Sequence, residues 1–285
     1  MYFNLTKQSA HQHFKKKMQL EAYSRELIVQ SHQVRKIHPR MGVKVIYEKL
    51  CPKNIGRDRF EKLLMQNGFR VLIQKNFIKT TDSQKVHFSN LIAGTQVTDI
   101  NQVWVSDITY FISPLTQVYY VITIMDLYSR RILGYAGSST MRAEATSMKA
   151  LKMTLNVRRI MSYNGLIHHS DRGSQYRFNQ YITLLKDYGI KVSMCDNVYD
   201  NAHQERLNGT IKNDYMRNMD CSTLKKLQNS LKVAVNSYNT DRPHSSILKM
   251  SPVDFEKHLL TLPQSERPVM NIYQHESTPN SQRKK

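Results

Sequence analysis

Apolar residues recur at helical spacing early in this chain and at strand spacing in its middle. Leu20, Tyr23, Leu27, Ile28 and Val34 fit one helix over residues 20–34, which His38-Pro39-Arg40-Met41-Gly42 breaks. A second helix is expected over residues 43–50 and a third over 55–66, with Pro52, Lys53 and Asn54 turning between them. Ile55, Phe60, Leu63 and Leu64 give the third an apolar side, and Asn67-Gly68 stops it. From Gln102 the pattern becomes β: residues 103–112, 118–125 and 132–137 are rich in Val, Ile, Tyr and Trp. The breaks at 113–117 and 129–131 predict a three-stranded antiparallel meander. Met141, Ala145, Met148, Leu151 and Leu155 then return to helical spacing and predict an amphipathic helix on the sheet. A strand over 166–170, a helix over 176–188 and a strand over 190–194 follow. Further helices are expected from Glu205 toward Arg217 and over 224–238, and Ser251-Pro252-Val253-Asp254 reads as a capped helix start.

Three antiparallel strands followed by alternating helix and strand make an α/β layout, a mixed five-stranded sheet with flanking helices. That is the element order of the ribonuclease-H-like fold. Ahead of it stands a small helical domain, whose second and third helices suit a helix-turn-helix with Arg57, Arg59 and Lys62 toward DNA. The bland reading of the same pair is a helical hairpin with a charged outer face. The expected division is a helical DNA-binding region over 1–71, a basic linker over 72–100 and a catalytic core over 101–220. A helical extension over 221–262 and a polar tail over 263–285 complete it. Within these, 1–17 reads as a solvated or DNA-facing run ending in Lys15-Lys16-Lys17.

Charge narrows the partner. Forty-two Lys and Arg against 22 Asp and Glu leave a formal charge of +20 in 285 residues. Such an excess repels itself in the compact state and points to a polyanion, nucleic acid before an anionic membrane surface. No stretch nears the roughly 20 apolar residues that span a bilayer, and the N-terminus lacks the apolar core of a signal peptide. Cys51, Cys195 and Cys221 are scattered and read as reduced thiols, which with the charge predicts a cytoplasmic, nucleoid-associated protein. His11-x-His13 has no cysteine pair to complete a zinc site.

Three carboxylates carry the candidate chemistry. Asp107 lies inside the run Val103-Trp104-Val105-Ser106-Asp107-Ile108, where an unpartnered charge is costly to bury. Asp171 stands where Leu166-Ile167 gives way to a glycine turn, and Glu205 stands early on a helix. Singly, Asp171 reads as a turn residue and Glu205 as nothing in particular, with Asp126, Asp196 and Asp200 as competitors. Converging from three elements, they could hold the two Mg²⁺ ions that activate a nucleophile and stabilise a leaving oxygen in phosphodiester transfer. At 100° per residue Asn201, Glu205, Asn208 and Lys212 share one helix face, with Leu207 and Ile211 opposite. This places Lys212 and Asn208 toward DNA beside the ions; the bland reading of Lys212 is a solvated lysine.

Five ordered blocks resemble the bacterial insertion-sequence transposases of the IS-three type. They are Trp104-x-x-Asp107-Ile108-Thr109-Tyr110, Asp126-x-x-Ser129-Arg130-x-Ile132-x-Gly134 and His169-Ser170-Asp171-Arg172-Gly173-Ser174-Gln175-Tyr176, then Asp200-Asn201-Ala202-x-x-Glu205, and last Tyr238-Asn239-x-x-Arg242-Pro243-His244 with Ser251-Pro252-x-x-Phe255. The stretch from His38 to Phe69 is similar to the helix-turn-helix region of the longer, second-frame (B) product. The resemblance implies an integrase-type catalytic core with Asp107, Asp171 and Glu205 as its DDE triad, using Mg²⁺, with Mn²⁺ as a substitute. It implies binding to terminal inverted repeats, nicking to free 3′-hydroxyls and strand transfer into target DNA. A homo-oligomer on DNA and a first-frame (A) product as partner are implied as well. The 33 residues between Asp171 and Glu205 are two fewer than the family usually has. Competing readings are a catalytically idle DNA-binding relative acting as an inhibitor, and a ribonuclease-H-like nuclease for RNA–DNA hybrids.

Overall fold

The computed structural model describes residues 7–71, 88–159, 163–195 and 201–272, in two compact units, residues 1–76 and 77–285. Asp196, Asp200, Lys75, Lys79 and the terminal Arg283-Lys284-Lys285 lie outside the described residues.

The first unit is helical. Helix α1 spans Lys7–Ile37, far longer than the 20–34 stretch its apolar spacing predicts, and Lys15–Lys17 ride on it exposed. No glycine or proline interrupts residues 7–37, so straight-chain Lys, Gln and Glu carry the helix beyond its packed part. Leu27 and Val34 then meet α2 (Val43–Leu50) and α3 (Arg57–Gln66) in a small core with Met41, Ile46, Phe60, Leu64 and Phe69. Cys51 ends α2 in the left-handed region (φ 44°), and Gly56 leads into α3. Arg59 and Lys62 face solvent on α3, whereas Arg57 is within 3.5 Å of its own helix's Asp58 and Glu61.

In the second unit a two-residue strand β1 (Gln96–Val97) precedes β2 (Val103–Ile112), β3 (Val118–Asp126) and β4 (Ile132–Ser138). These last three form the expected antiparallel meander. Helix α4 (Ser147–Arg158), strand β5 (Ile167–Ser170), helix α5 (Asn179–Asp187) and strand β6 (Lys191–Met194) come next. The sheet order is β4-β3-β2-β5-β6, with β5 parallel to β2 and β6 parallel to β5. This is the ribonuclease-H-like arrangement, and β2 is its central strand.

Residue parity sorts the two cores. Trp104, Ile122 and Ile124 point to the side of α4 and α5, where Leu151, Tyr181 and Leu185 pack. Val103, Val105, Val121 and Met125 point to the other side, covered by α6 (Ala202–Gly209), α7 (Leu224–Thr240) and α8 (Pro252–Leu259). With helices on both faces, β3 reads as an almost unbroken apolar run. Ser251 caps α8 through the Asp254 amide at 3.2 Å with Pro252 first in the helix, as its sequence predicts.

Two expected boundaries need correction. Residues 88–100, read as linker, pack on the sheet: Ile92 and Val97 are buried in the α7–α8 core. Residues 263–272, read as loose tail, return to the same place, where β7 (Met270–Asn271) pairs antiparallel with β1 and Arg267 bonds Asp99. Paired backbone and an ion pair order segments too short to show any periodicity. The helix beyond Glu205 also departs from a plain α-helix. At Thr210–Tyr215 it widens to a π-turn, which keeps Leu207, Ile211 and Tyr215 all buried.

Candidate active site

Strand pairing brings two of the three expected carboxylates together. Ser106 of β2 pairs in parallel with Ser170 of β5; Asp107 follows on β2, and Asp171 is the first residue past the end of β5. Both have the parity of Val103, Val105 and Ile167, so they stand on the α6 side of the sheet. Asp171 leaves its strand through a tight turn in which its Oδ1 accepts the Gly173 amide at 3.0 Å. A β-carbon on Gly173 would sit 3.0 Å from that same oxygen and 2.9 Å from Gln175 Oε1, so a larger residue would push on the Asp171 carboxylate.

The electrostatics fit two neighbouring, half-buried acids. Burial, then the charge of Asp171, then more weakly that of Glu205 push the Asp107 carboxyl up to about 7. Burial raises Asp171 as well, against the Gly173 amide and the charge of Arg177. Two desolvated carboxylates side by side favour either a shared proton or a bound cation. Both are hard oxygen donors, the kind a divalent magnesium-like ion takes. Glu205 lies outside this close pair: it is exposed on the flank of α6, and no three His, Cys, Asp or Glu side chains among the described residues form a metal-holding group.

Helix α6 meets the sheet through polar groups, a feature the helical-face reading misses. Asn208 is buried and its amide donates to Asp107 Oδ2 at 2.8 Å, so it orients the acid and does not face DNA as expected. Thr123, the cross-strand partner of Asp107, donates to Asn208 Oδ1 at 3.3 Å. Gln204 in turn donates to Thr123 Oγ1 at 2.5 Å and to its carbonyl at 2.9 Å. Asn201 donates to the Ser106 carbonyl at 3.2 Å, and Ser106 Oγ lies 2.9 Å from the buried Tyr176 hydroxyl. Glutamine and asparagine at these spacings look like a solvated face; nothing in the sequence alone separates the two.

Lys212 follows along the same strand face. Its Nζ bonds Thr109 Oγ1 at 3.2 Å and stands 5.1 Å from the centre of the Tyr110 ring. Partial burial and the charge of Arg217 lower its pKa, while Asp107 opposes the shift. It is therefore a half-buried cation within the field of Asp107.

Asp126 belongs elsewhere. Its Oδ1 accepts the Tyr128 and Ser129 amides at 3.1 Å each, and its Oδ2 accepts Asn101 N at 2.7 Å and Arg158 at 3.1 Å. Arg158 and Arg131 also pair with Glu256 of α8, at 2.6 and 2.5 Å. This buried network ties the β3–β4 turn to α4 and α8, which explains an Asp-x-x-Ser-Arg block without assigning it chemistry.

Comparison with known proteins places these features. The family described as "Integrase core domain" matches residues 98–199, and a second family of the same description matches 188–252. The insertion element IS600 31 kDa protein of Shigella sonnei is 35% identical over 212 residues, 71% of this chain and 75% of that protein. The transposase of IS904 from Lactococcus lactis is 34% identical over 55% of this chain and 62% of its own length. The IS629 transposase of Shigella sonnei is 28% identical over 77% and 75%. Among solved structures, the HTLV-2 integrase catalytic core domain in complex with magnesium aligns at a TM-score of 0.41 and 16% identity, over 59% of this chain and 99% of that one. A simian T-cell lymphotropic virus intasome aligns at 0.45 and 15%, over 87% and 78%.

Proposed function

The chain belongs to the integrase-core transposases of bacterial insertion sequences, and from that premise we propose that it frees 3′-hydroxyl ends of DNA and joins them to a target strand. Asp107, Asp171 and Glu205 are the acidic groups in this reading. The observation that supports it is that Asp107 and Asp171 each directly follow the Ser106–Ser170 pair of the central strands, with Asp107 pushed up to about 7 by burial and then by the charge of Asp171.

Asp107 and Asp171 would hold Mg²⁺, or Mn²⁺ in its place, and Glu205 would close on it from α6. The bound ions would lower the pKa of the attacking hydroxyl and offset charge on the leaving oxygen. The protein's own contribution is placement. Asn208 fixes the Asp107 carboxylate, and the Gly173 turn fixes Asp171. Lys212 supplies a positive charge for a DNA phosphate beside the acids. Arg59 and Lys62 on α3 of the helical unit would contact duplex DNA, with Arg57 held back by Asp58 and Glu61. The terminal inverted repeats and a target duplex are the substrates, a homo-oligomer on DNA the working form, and a first-frame product a partner. A bacterial cytoplasm and nucleoid are its place of action.

The test is joining of labelled terminal-repeat DNA with Mg²⁺. Asp107→Asn is expected to lower joining by about 10³-fold, roughly 4 kcal/mol of transition-state stabilisation, while DNA affinity stays within about twofold. Wild-type protein that binds the DNA and never cuts it would instead be a DNA-binding relative without turnover.

A further inference from the structure

Three polar side chains meet on the α6 side of β5 and β6, and the chemistry of the acid pair uses none of them. His169 of β5 stands between Val105 of β2 and Ser193 of β6 in the sheet register, all three buried. Its Nδ1 lies 2.8 Å from Ser193 Oγ, and its Nε2 lies 3.2 Å from Cys195 Sγ. Ser193 Oγ also accepts the Leu91 amide at 2.9 Å, so the chain of bonds begins in the 88–100 segment packed on the sheet. His168 has the opposite parity and goes to Tyr181 of α5, at 2.9 Å.

Cys195 is where these bonds reach the acid pair. It follows Met194, the partner of Ser170, and so comes level with Asp171. Its amide donates to the Ser170 carbonyl at 2.9 Å, its carbonyl accepts Arg172 Nε at 2.8 Å, and its thiol meets His169. One residue thus ties down His169, Ser170 and Arg172, on both sides of Asp171. Two of these ties run through the backbone of Cys195 and survive any side chain there. The third needs a hydrogen-bonding group at the thiol position and another at the place of His169 Nε2. An imidazole, a hydroxyl and a thiol are costly to bury beside Val105 unless they bond one another. Packing alone would be served as well by apolar side chains of the same shape.

We propose that His169, braced by Ser193, is a positioning residue: through Cys195 it fixes the exit of β5 and with it the direction of the Asp171 carboxylate. The Gly173 amide aims that carboxylate from one end of the turn, and the His169–Cys195 contact holds the other end. Groups behind a metal-binding carboxylate keep it in the geometry the ion demands, and losing one weakens binding by about 10–100-fold. The inference rests on the transposase reading of Asp107 and Asp171, and adds the residues that keep the second acid still.

The experiment titrates Mn²⁺ into the metal-free full chain by isothermal calorimetry, with melting temperature and duplex binding measured alongside. Cys195→Ala removes the thiol alone; it is expected to weaken Mn²⁺ binding about tenfold and to leave duplex affinity within about twofold. Cys195→Ser restores a hydrogen-bonding group and is expected to stay within about threefold of wild type. His169→Gln, whose amide reaches the Nε2 position, should likewise keep most of the affinity, and His169→Asn, whose amide reaches only Nδ1, should not. Because His169 is fully buried, its variants test the proposal only as far as they fold; the two Cys195 variants, one atom apart, decide it alone. Equal losses in Cys195→Ala and Cys195→Ser would make the effect one of packing and overturn the proposal. So would a Cys195→Ala protein with wild-type affinity for Mn²⁺, which leaves the transposase reading standing. Wild-type protein that takes up no Mn²⁺ removes the metal-holding acid pair and this proposal with it.

Discussion

Asp107 shows how one side chain records both the architecture and the chemistry. Its parity, its register against β5 and the amide of Asn208 hold it half-buried against α6, and Asp171 adds a like charge. Because its folded pKa lies above that of the unfolded chain, the protonated acid contributes stability that is full below about pH 4. That contribution is lost as pH rises through about 7. The metal-free protein should therefore lose on the order of 4 kcal/mol between those limits. Asp107→Asn should flatten the profile and melt higher than wild type at pH 8; equal profiles would mean the carboxyl is solvated. Asn208→Leu removes the amide that aims the acid, together with the acceptor for Thr123. It should cost joining about 10–100-fold and raise the Mg²⁺ concentration needed for half-activity. An unchanged Mg²⁺ requirement would deny Asn208 that role.

At the scale of elements, what could be read from the sequence follows from periodicity. The β2–β4 meander was legible because Val, Ile, Tyr and Trp crowd three runs of strand length between polar breaks, and the α8 start because Ser251-Pro252 has a capping chemistry of its own. Asp107 was legible inside a strand and Asp171 at the exit of one. The joining of Gln204, Thr123 and Asn208 was not, since inward-facing amides on a helix have the same letters as outward-facing ones. Nor was the π-turn over Thr210–Tyr215, which shifts a helical register without any residue that marks it. Packing of α4 on β4 offers a sharp test. A β-carbon on Gly134 would lie 2.0 Å from the Ala150 carbonyl oxygen and 2.2 Å from Thr154 Oγ1. Gly134→Ala should thus destabilise by about 2–3 kcal/mol, roughly 5–10 °C in Tm; an unchanged Tm would mean that α4 does not sit so close. Glu256→Gln leaves Arg158 buried with one acid in place of two and should cost about 3–5 kcal/mol, read as a lower urea midpoint.

For the whole molecule, net charge and the two compact units set the terms. A formal charge of +20 predicts that duplex affinity falls by about 10³–10⁵-fold between 50 and 200 mM salt if roughly 6–10 phosphates are neutralised. A flat salt response would break the link between charge and partner. The domain division that composition suggested erred at both margins of the catalytic unit, at 88–100 and 263–272, because two-residue strands are held by each other and carry no pattern. That mutual clasp has a topological consequence. The segment entering the unit at Gln96 and the one leaving it at Asn271 run alongside each other, so a short peptide could splice them and new ends could be opened in the Ser113–Gln117 hairpin loop. Such a rewired gene product should still assemble the sheet, whereas trimming the chain before Arg267 should cost it the bond to Asp99 that locks the seam.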